Sequence, residues 1–170
     1  MSYSVIIRGP MAVGKTTVAK QLAILLHGEY VSVDQVLAEH KLDRVLPGSE
    51  SIPVDRFLAA NDLIIPKALE SLEHNMPVIF DAAFYHREVI DDLVQSLPYQ
   101  HFIFTLKAPV EICIERDKKR KQPYGQEAVQ AVHSLVSRFD AGIIIDASQQ
   151  EIEVVEDILE QLPLTKSQTR

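Results

Sequence analysis

The chain has 170 residues, 46% of them hydrophobic and 24% charged, with a formal net charge of −7. These values predict one soluble globular domain over residues 1–170, and the acidic balance disfavours nucleic acid as a partner, which calls for a basic face. No apolar run approaches the ~20 residues of a membrane helix, and the N-terminus lacks a basic-then-apolar secretory pattern, so the expected location is cytoplasmic, without a membrane partner.

Val5, Ile6 and Ile7 predict a first strand over residues 4–8. The next eight residues, Gly9-Pro10-Met11-Ala12-Val13-Gly14-Lys15-Thr16, satisfy G-x-x-x-x-G-K-[ST] at every fixed position, with Thr17 directly after them. Val18, Leu22, Leu25 and Leu26 then recur at helical spacing up to His27. Strand, loop and helix in that order are the context in which this motif binds phosphate. Gly9 allows a sharp exit from the strand, and Gly14 lets the backbone approach a ligand closely. Successive N–H groups then surround a polyphosphate, aided by the positive end of the helix dipole. In such a loop Lys15 reaches the β- and γ-phosphates and the Thr16 hydroxyl ligates Mg²⁺.

Gly28 is the expected C′ residue of this helix. Residues 30–33 predict a second strand with Asp34 directly after it, then a helix through Val36 and Leu37. Residues 41–54 carry Pro47, Gly48 and Pro53 without a steady period and read as a loop. A helix from Asp55 to Asn75 is expected to kink or break at Pro66. Residues 77–81 give a third strand, and Val89, Ile90, Leu93 and Val94 mark the helix after it. Residues 101–106 give a fourth strand, and Pro109 suits the start of a helix through Arg116 and on toward Arg120. Residues 118–126 read as a polar loop, and residues 128–139 as an amphipathic helix. Residues 143–145 give a fifth strand. Ser148 with Glu151 predicts a capping box before a last helix, which Pro163 ends ahead of a frayed tail. Strands rich in Val and Ile alternating with helices predict an α/β fold, a parallel sheet covered on both faces.

Ligands in such sheets bind beyond the carboxyl ends of the strands, which directs attention to Gly9, Asp34, Asp81 and Asp146. Asp81 ends an apolar strand, the Walker B pattern of a Mg²⁺ carboxylate; the competing role is an N-cap on the next helix. Asp34 stands where a carboxylate can orient an acceptor hydroxyl and accept its proton, with an N-cap again as the competing role. Arg116 and Arg120 are four apart, on one helix face, and carry planar forks suited to phosphate oxygens or to stacking on a base; a solvated helix end has the same composition. Cys113, the one cysteine, lies among Val110, Ile112 and Ile114 and reads as a small buried hydrophobe. The six histidines show no metal spacing, and His86, in Tyr85-His86-Arg87, lies near the expected acceptor site.

With these residues in hand, the chain resembles the small P-loop kinases of the adenylate, shikimate and gluconate kinase group. The pattern is most similar to the branch with chloramphenicol phosphotransferase, zeta toxins and polynucleotide 5′-kinase domains. The resemblance spans roughly residues 3–160 and implies a three-layer sandwich with a five-stranded parallel sheet in the order 2-3-1-4-5. It implies ATP and Mg²⁺ as cofactors, with Gly9 through Thr17 as the ATP loop and Thr16 and Asp81 at the metal. It implies Asp34 as the catalytic aspartate, Arg87 as a substrate-binding arginine, Arg116 stacked on adenine beside residues 146–148, and Arg120 as the phosphate-binding arginine of a mobile lid near 117–127. Arg138 would be a second such arginine, and the substrate side would lie near residues 35–60. Monophosphate kinases of the group usually have Thr-Gly-Asp where this chain has Ser32-Val33-Asp34.

The expected activity is ATP-dependent transfer of the γ-phosphate to a hydroxyl of a small-molecule acceptor, with Lys15, Asp34 and Arg120 as catalytic residues. The alternatives are a nucleoside monophosphate kinase using Arg44, Arg56 and Arg87, a 5′-hydroxyl nucleic-acid kinase, and a slow nucleotide-binding regulatory module. The sequence specifies neither the acceptor nor an oligomeric state.

Overall fold

A computed structural model of the chain describes residues 2–163; the frayed tail expected after Pro163 lies outside the described residues. Twelve elements alternate along them: β1 (Tyr3–Arg8), α1 (Lys15–Leu25), β2 (Glu29–Ser32), α2 (Val33–Glu39), α3 (Val54–Glu73), β3 (Val78–Ala82), α4 (Arg87–Ser96), β4 (Gln100–Lys107), α5 (Val110–Lys118), α6 (Gln126–Val136), β5 (Ile143–Asp146) and α7 (Glu151–Leu159). The strands form one parallel sheet in the order β2-β3-β1-β4-β5, as the kinase resemblance implies.

Side-chain alternation divides the core into two layers. Val5 and Ile7 of β1 pack with α1 and α7 through Val18, Leu22, Val155 and Ile158. Ile6, one residue out of phase, packs with α2, α3 and α4 through Leu37, Phe57, Ala68 and Leu93. Every residue of β1 and β3 is buried, which is why these strands read as near-continuous apolar runs, interrupted by Ser4, Arg8 and Asp81.

Helix ends depart from the expected caps in instructive ways. His27, not Gly28, takes the left-handed C′ position after α1, at φ 50°. The His27 N–H donates to Ile24 O and the Gly28 N–H to Ala23 O, the Schellman pair. Gly28 is small for a different reason: a Cβ there would sit 2.6 Å from the Pro77 carbonyl oxygen. Asn75, at φ 58°, does close α3 as expected. The helix neither starts at Asp55 nor breaks at Pro66; it runs unbroken from Val54 to Glu73 with Pro53 as N-cap. Pro66 is exposed, so the carbonyl it deprives of a donor faces water, while Phe57, Ala60, Ile64, Ala68 and Leu72 hold the buried face. The last capping box is Gln150 with Glu153, two residues beyond the expected pair; the Ser148 N–H and hydroxyl instead donate to Asp146 Oδ1.

Candidate active site

The loop after β1 is shaped by two left-handed residues, Ala12 at φ 63° and Gly14 at φ 104°. Alternation of this kind turns successive N–H groups to one side, an anion-binding concavity. A Cβ on Gly14 would meet nothing within 4 Å, so the loop's inner face is open there. Gly9 does not need a positive φ, contrary to the expected sharp exit. Its requirement is closeness: a Cβ would lie 3.0 Å from both the Leu106 carbonyl oxygen and Val13 Cγ1. Gly9, Pro10, Val13 and Lys15 are buried, Met11 and Ala12 half-buried, and Thr16 and Thr17 exposed. Lys15 Nζ donates to Pro10 O at 3.1 Å, which holds the ammonium inside its own loop.

Asp81 sits within β3, opposite Ile7 of β1, and is 3% exposed. Its Oδ2 accepts from the Thr16 hydroxyl and from the Tyr30 hydroxyl, each at 2.8 Å. Its Oδ1 is buried and has no partner. The N-cap role is ruled out, because α4 begins at Arg87 with His86 as N-cap. A buried carboxylate oxygen without a donor is costly, and this one fits a hard cation beside the Thr16 hydroxyl. Among the described residues no three His, Cys, Asp or Glu side chains gather at one point. One carboxylate and one hydroxyl match Mg²⁺, which takes most of its ligands from phosphates and water. Burial pushes the Tyr30 phenol up to about 12, with the Asp81 charge adding to it, so Tyr30 remains a donor at any working pH.

Asp34 lies in the first turn of α2 rather than between strand and helix. Ser32 is the N-cap, its hydroxyl accepting from the Gln35 N–H at 3.2 Å, so the capping role for Asp34 is also removed. The carboxyl is exposed by surface area, yet protein atoms crowd around it closely enough to desolvate it. Desolvation raises its pKa above 3.8, Lys15 opposes the rise, and Asp81 adds to it. Lys15, Asp34 and Asp81 therefore share one electrostatic neighbourhood, next to the Thr16 hydroxyl.

The arginines are more committed than their spacing suggests. Arg116 donates to the Val13, Ala147 and Gln149 carbonyls at 2.9, 2.7 and 3.3 Å, tying α5 to the phosphate loop and to the loop before α7. Its N–H edges are thus occupied. Arg120 lies beyond the end of α5 and does not share a helix face with Arg116. It packs on the Tyr124 ring at 4.5 Å and pairs with Asp117 at 3.9 Å. Asp117, buried and unnoticed in the sequence, accepts from the Tyr124 and Gly125 N–H groups at 3.0 and 2.9 Å and so fixes the turn between α5 and α6. Arg87 donates to Asp140 O at 3.1 Å and stacks on Phe139 at 4.5 Å. Arg56 donates to Arg44 O at 3.5 Å, and Arg138, past the end of α6, pairs with Glu50 at 2.7 Å.

Two further groups were missed. Arg8, fully buried at the end of β1, donates to the carbonyls of Phe84, Phe139 and Val136 and to the Thr105 hydroxyl at 3.0–3.3 Å. It joins the segments after β3 and α6 to the strand that carries the phosphate loop. Desolvation lowers its pKa to about 10, opposed by Asp140 and assisted by Arg87. A cation in an otherwise apolar strand was the available signal. The Tyr85 hydroxyl accepts from the Ile52 N–H at 3.2 Å and His86 Nε2 contacts Ile52 O at 2.8 Å, a clasp that anchors the 41–53 loop; no sequence spacing encodes it. Cys113 is fully buried in α5, as expected, and burial pushes its thiol up. Two surface hollows of about 490 and 520 Å³, beside α6 and α1, include neither the phosphate loop nor Asp34. No described helix is long and apolar enough to cross a membrane.

Comparison with known proteins agrees with this geometry. A gluconokinase from Sinorhizobium meliloti superposes with a TM-score of 0.73 at 18% identity, over 92% of this chain and 89% of that one. A sugar kinase from a Janibacter species gives 0.81 at 18% identity, over 100% and 99%. The tunicamycin resistance protein of Deinococcus radiodurans gives 0.70 at 25% identity, over 97% and 98%. No curated protein matches the chain. A family model described as an AAA domain matches residues 5–141. The chain therefore belongs to the AAA domain family of P-loop proteins and has the fold of the small P-loop kinases.

Proposed function

We propose that this protein is an ATP- and Mg²⁺-dependent kinase that phosphorylates a hydroxyl of a small molecule. The observation that carries the reading is Asp34: it stands in the first turn after β2, within electrostatic reach of Lys15 and Asp81, and is not used as a cap. The loop amides and the dipole of α1 bind the polyphosphate, and Lys15 leaves Pro10 O to meet the β- and γ-phosphates. Thr16 and Asp81 would hold Mg²⁺, which would neutralise charge on the polyphosphate. Asp34 orients the acceptor hydroxyl and takes its proton. The new bond joins the acceptor oxygen to the γ-phosphorus while the bond to the β–γ bridging oxygen breaks, leaving ADP. Arg120, released from Tyr124, adds positive charge as the lid segment closes, and Arg116 offers the face of its guanidinium to the adenine. Arg87 borders the acceptor side.

Ser32-Val33-Asp34, where monophosphate kinases of the group usually have Thr-Gly-Asp, speaks for an uncharged alcohol or sugar over a nucleoside monophosphate. A screen with γ-labelled ATP tests this. Label should pass to uncharged hydroxyl compounds; transfer confined to nucleoside monophosphates would replace the acceptor assignment.

A further inference from the structure

We infer that Tyr30 is a positioning residue for the metal-facing carboxylate of Asp81. The inference rests on the reading of Thr16 and Asp81 as the Mg²⁺ site. Tyr30 lies on β2, the edge strand of the sheet, in register with Ile79 of β3, while Ser32 is opposite Asp81. Tyr30 and Asp81 therefore project from the same face, two residues apart along the strands, a diagonal that a long aromatic side chain spans.

The consequence lies in how the two carboxylate oxygens are used. Oδ2 takes both donors, the Thr16 hydroxyl from α1 and the Tyr30 hydroxyl from β2, each at 2.8 Å. Two donors on one oxygen, arriving from different elements, fix the rotation of the carboxylate about its Cβ–Cγ bond. The other oxygen, Oδ1, is left buried with no protein partner. With a single donor the carboxylate could turn and exchange its oxygens; with two it keeps Oδ1 free. Tyr30 thus holds an otherwise unfavourable arrangement that a cation or its water relieves. The ring is itself held, with the Lys20 ammonium 5.5 Å from its centroid, so the hydroxyl is delivered from a fixed direction.

Tyr30→Phe keeps the ring and removes only the hydroxyl. The test is isothermal titration of a non-hydrolysable ATP analogue into the full chain, with and without Mg²⁺, together with a melting curve for each variant. In Tyr30→Phe the Mg²⁺ concentration for half-maximal enhancement of analogue binding should rise about 10-fold, the scale of losing a group that orients a metal ligand, while metal-free affinity is unchanged. Asp81→Asn should lose the Mg²⁺ enhancement, and Tyr30→Phe should add nothing on top of it. A lower melting temperature with unaltered Mg²⁺ dependence would make Tyr30 a packing residue and overturn the inference. If Asp81→Asn also leaves Mg²⁺ dependence unaltered, the metal site itself is misassigned. Should Tyr30→Phe fold poorly, the same Mg²⁺ titration of Tyr30→Met, which fills part of the same space and carries no donor, gives the same comparison.

Discussion

Thr16, in the first turn of α1, donates its hydroxyl proton to Asp81 of β3 at 2.8 Å. That single bond joins the two halves of the candidate site, since one residue ends the phosphate loop and the other belongs to the strand beside β1. It leaves the lone pairs of the Thr16 oxygen and the second oxygen of Asp81 for a cation, and places Lys15 one residue away.

Lys15 is proposed to meet the polyphosphate. Its ammonium now donates to the Pro10 carbonyl, an exchange partner that a β- or γ-phosphate oxygen would replace. Charge-assisted bonds of this kind contribute about 1.5–3 kcal/mol, equivalent to roughly 10–100-fold in affinity. Lys15→Ala should weaken ATP by that factor in a titration and leave AMP nearly unaffected. Equal losses for ATP and AMP would move the lysine away from the terminal phosphates.

Asp34 has a pH signature in stability as well as in turnover. Its folded pKa is raised above 3.8, chiefly by desolvation, with Lys15 opposing and Asp81 adding to the shift. Between pH 3.8 and the folded pKa the native state binds more protons than the unfolded chain, so stability falls as pH rises through that window. Asp34→Asn removes this cost. Melting curves should show the variant above the wild type at neutral pH, with the gap closing as pH falls below 3.8. The rate of transfer, which needs the carboxylate, should begin to fall on the acid side at a pH above 3.8.

Arg8 is predicted to be the most sensitive polar residue in the core. Its guanidinium serves three carbonyls and the Thr105 hydroxyl with no water contact. Lysine keeps the charge but cannot reproduce the fork, and leaves buried acceptors unpaired at about 1–3 kcal/mol each. Arg8→Lys should lose about 2–4 kcal/mol of unfolding free energy in a urea titration. A loss under about 0.5 kcal/mol would show that the segments after β3 and α6 do not depend on it.

The sheet was legible because its central strands β1 and β3 are buried on both faces and its phosphate motif sits between a strand and a helix. All five strands and seven helices along the described residues follow from periodicity and turn residues. What escaped was contact across the sheet. Arg116 and Arg120 share a spacing but not a helix, because α5 stops at Lys118 and Asp117 folds the chain back through two N–H groups. Caps shifted by a residue or two, at His27 for Gly28 and at Gln150 for Ser148, because several neighbouring residues can satisfy the same helix end and tertiary packing chooses between them. Arg8, Tyr30 and the Ile52 clasp join segments 33 to 131 residues apart in the chain, a distance no local pattern records.

Asp34 is proposed to work on the acceptor and not on the nucleotide. Transfer of label from γ-labelled ATP to the best hydroxyl acceptor, measured beside ATP affinity in wild type and Asp34→Asn, tests it most directly. The account predicts unchanged ATP affinity and at least about a 100-fold loss of transfer in the variant. Transfer at the wild-type rate by Asp34→Asn would contradict it.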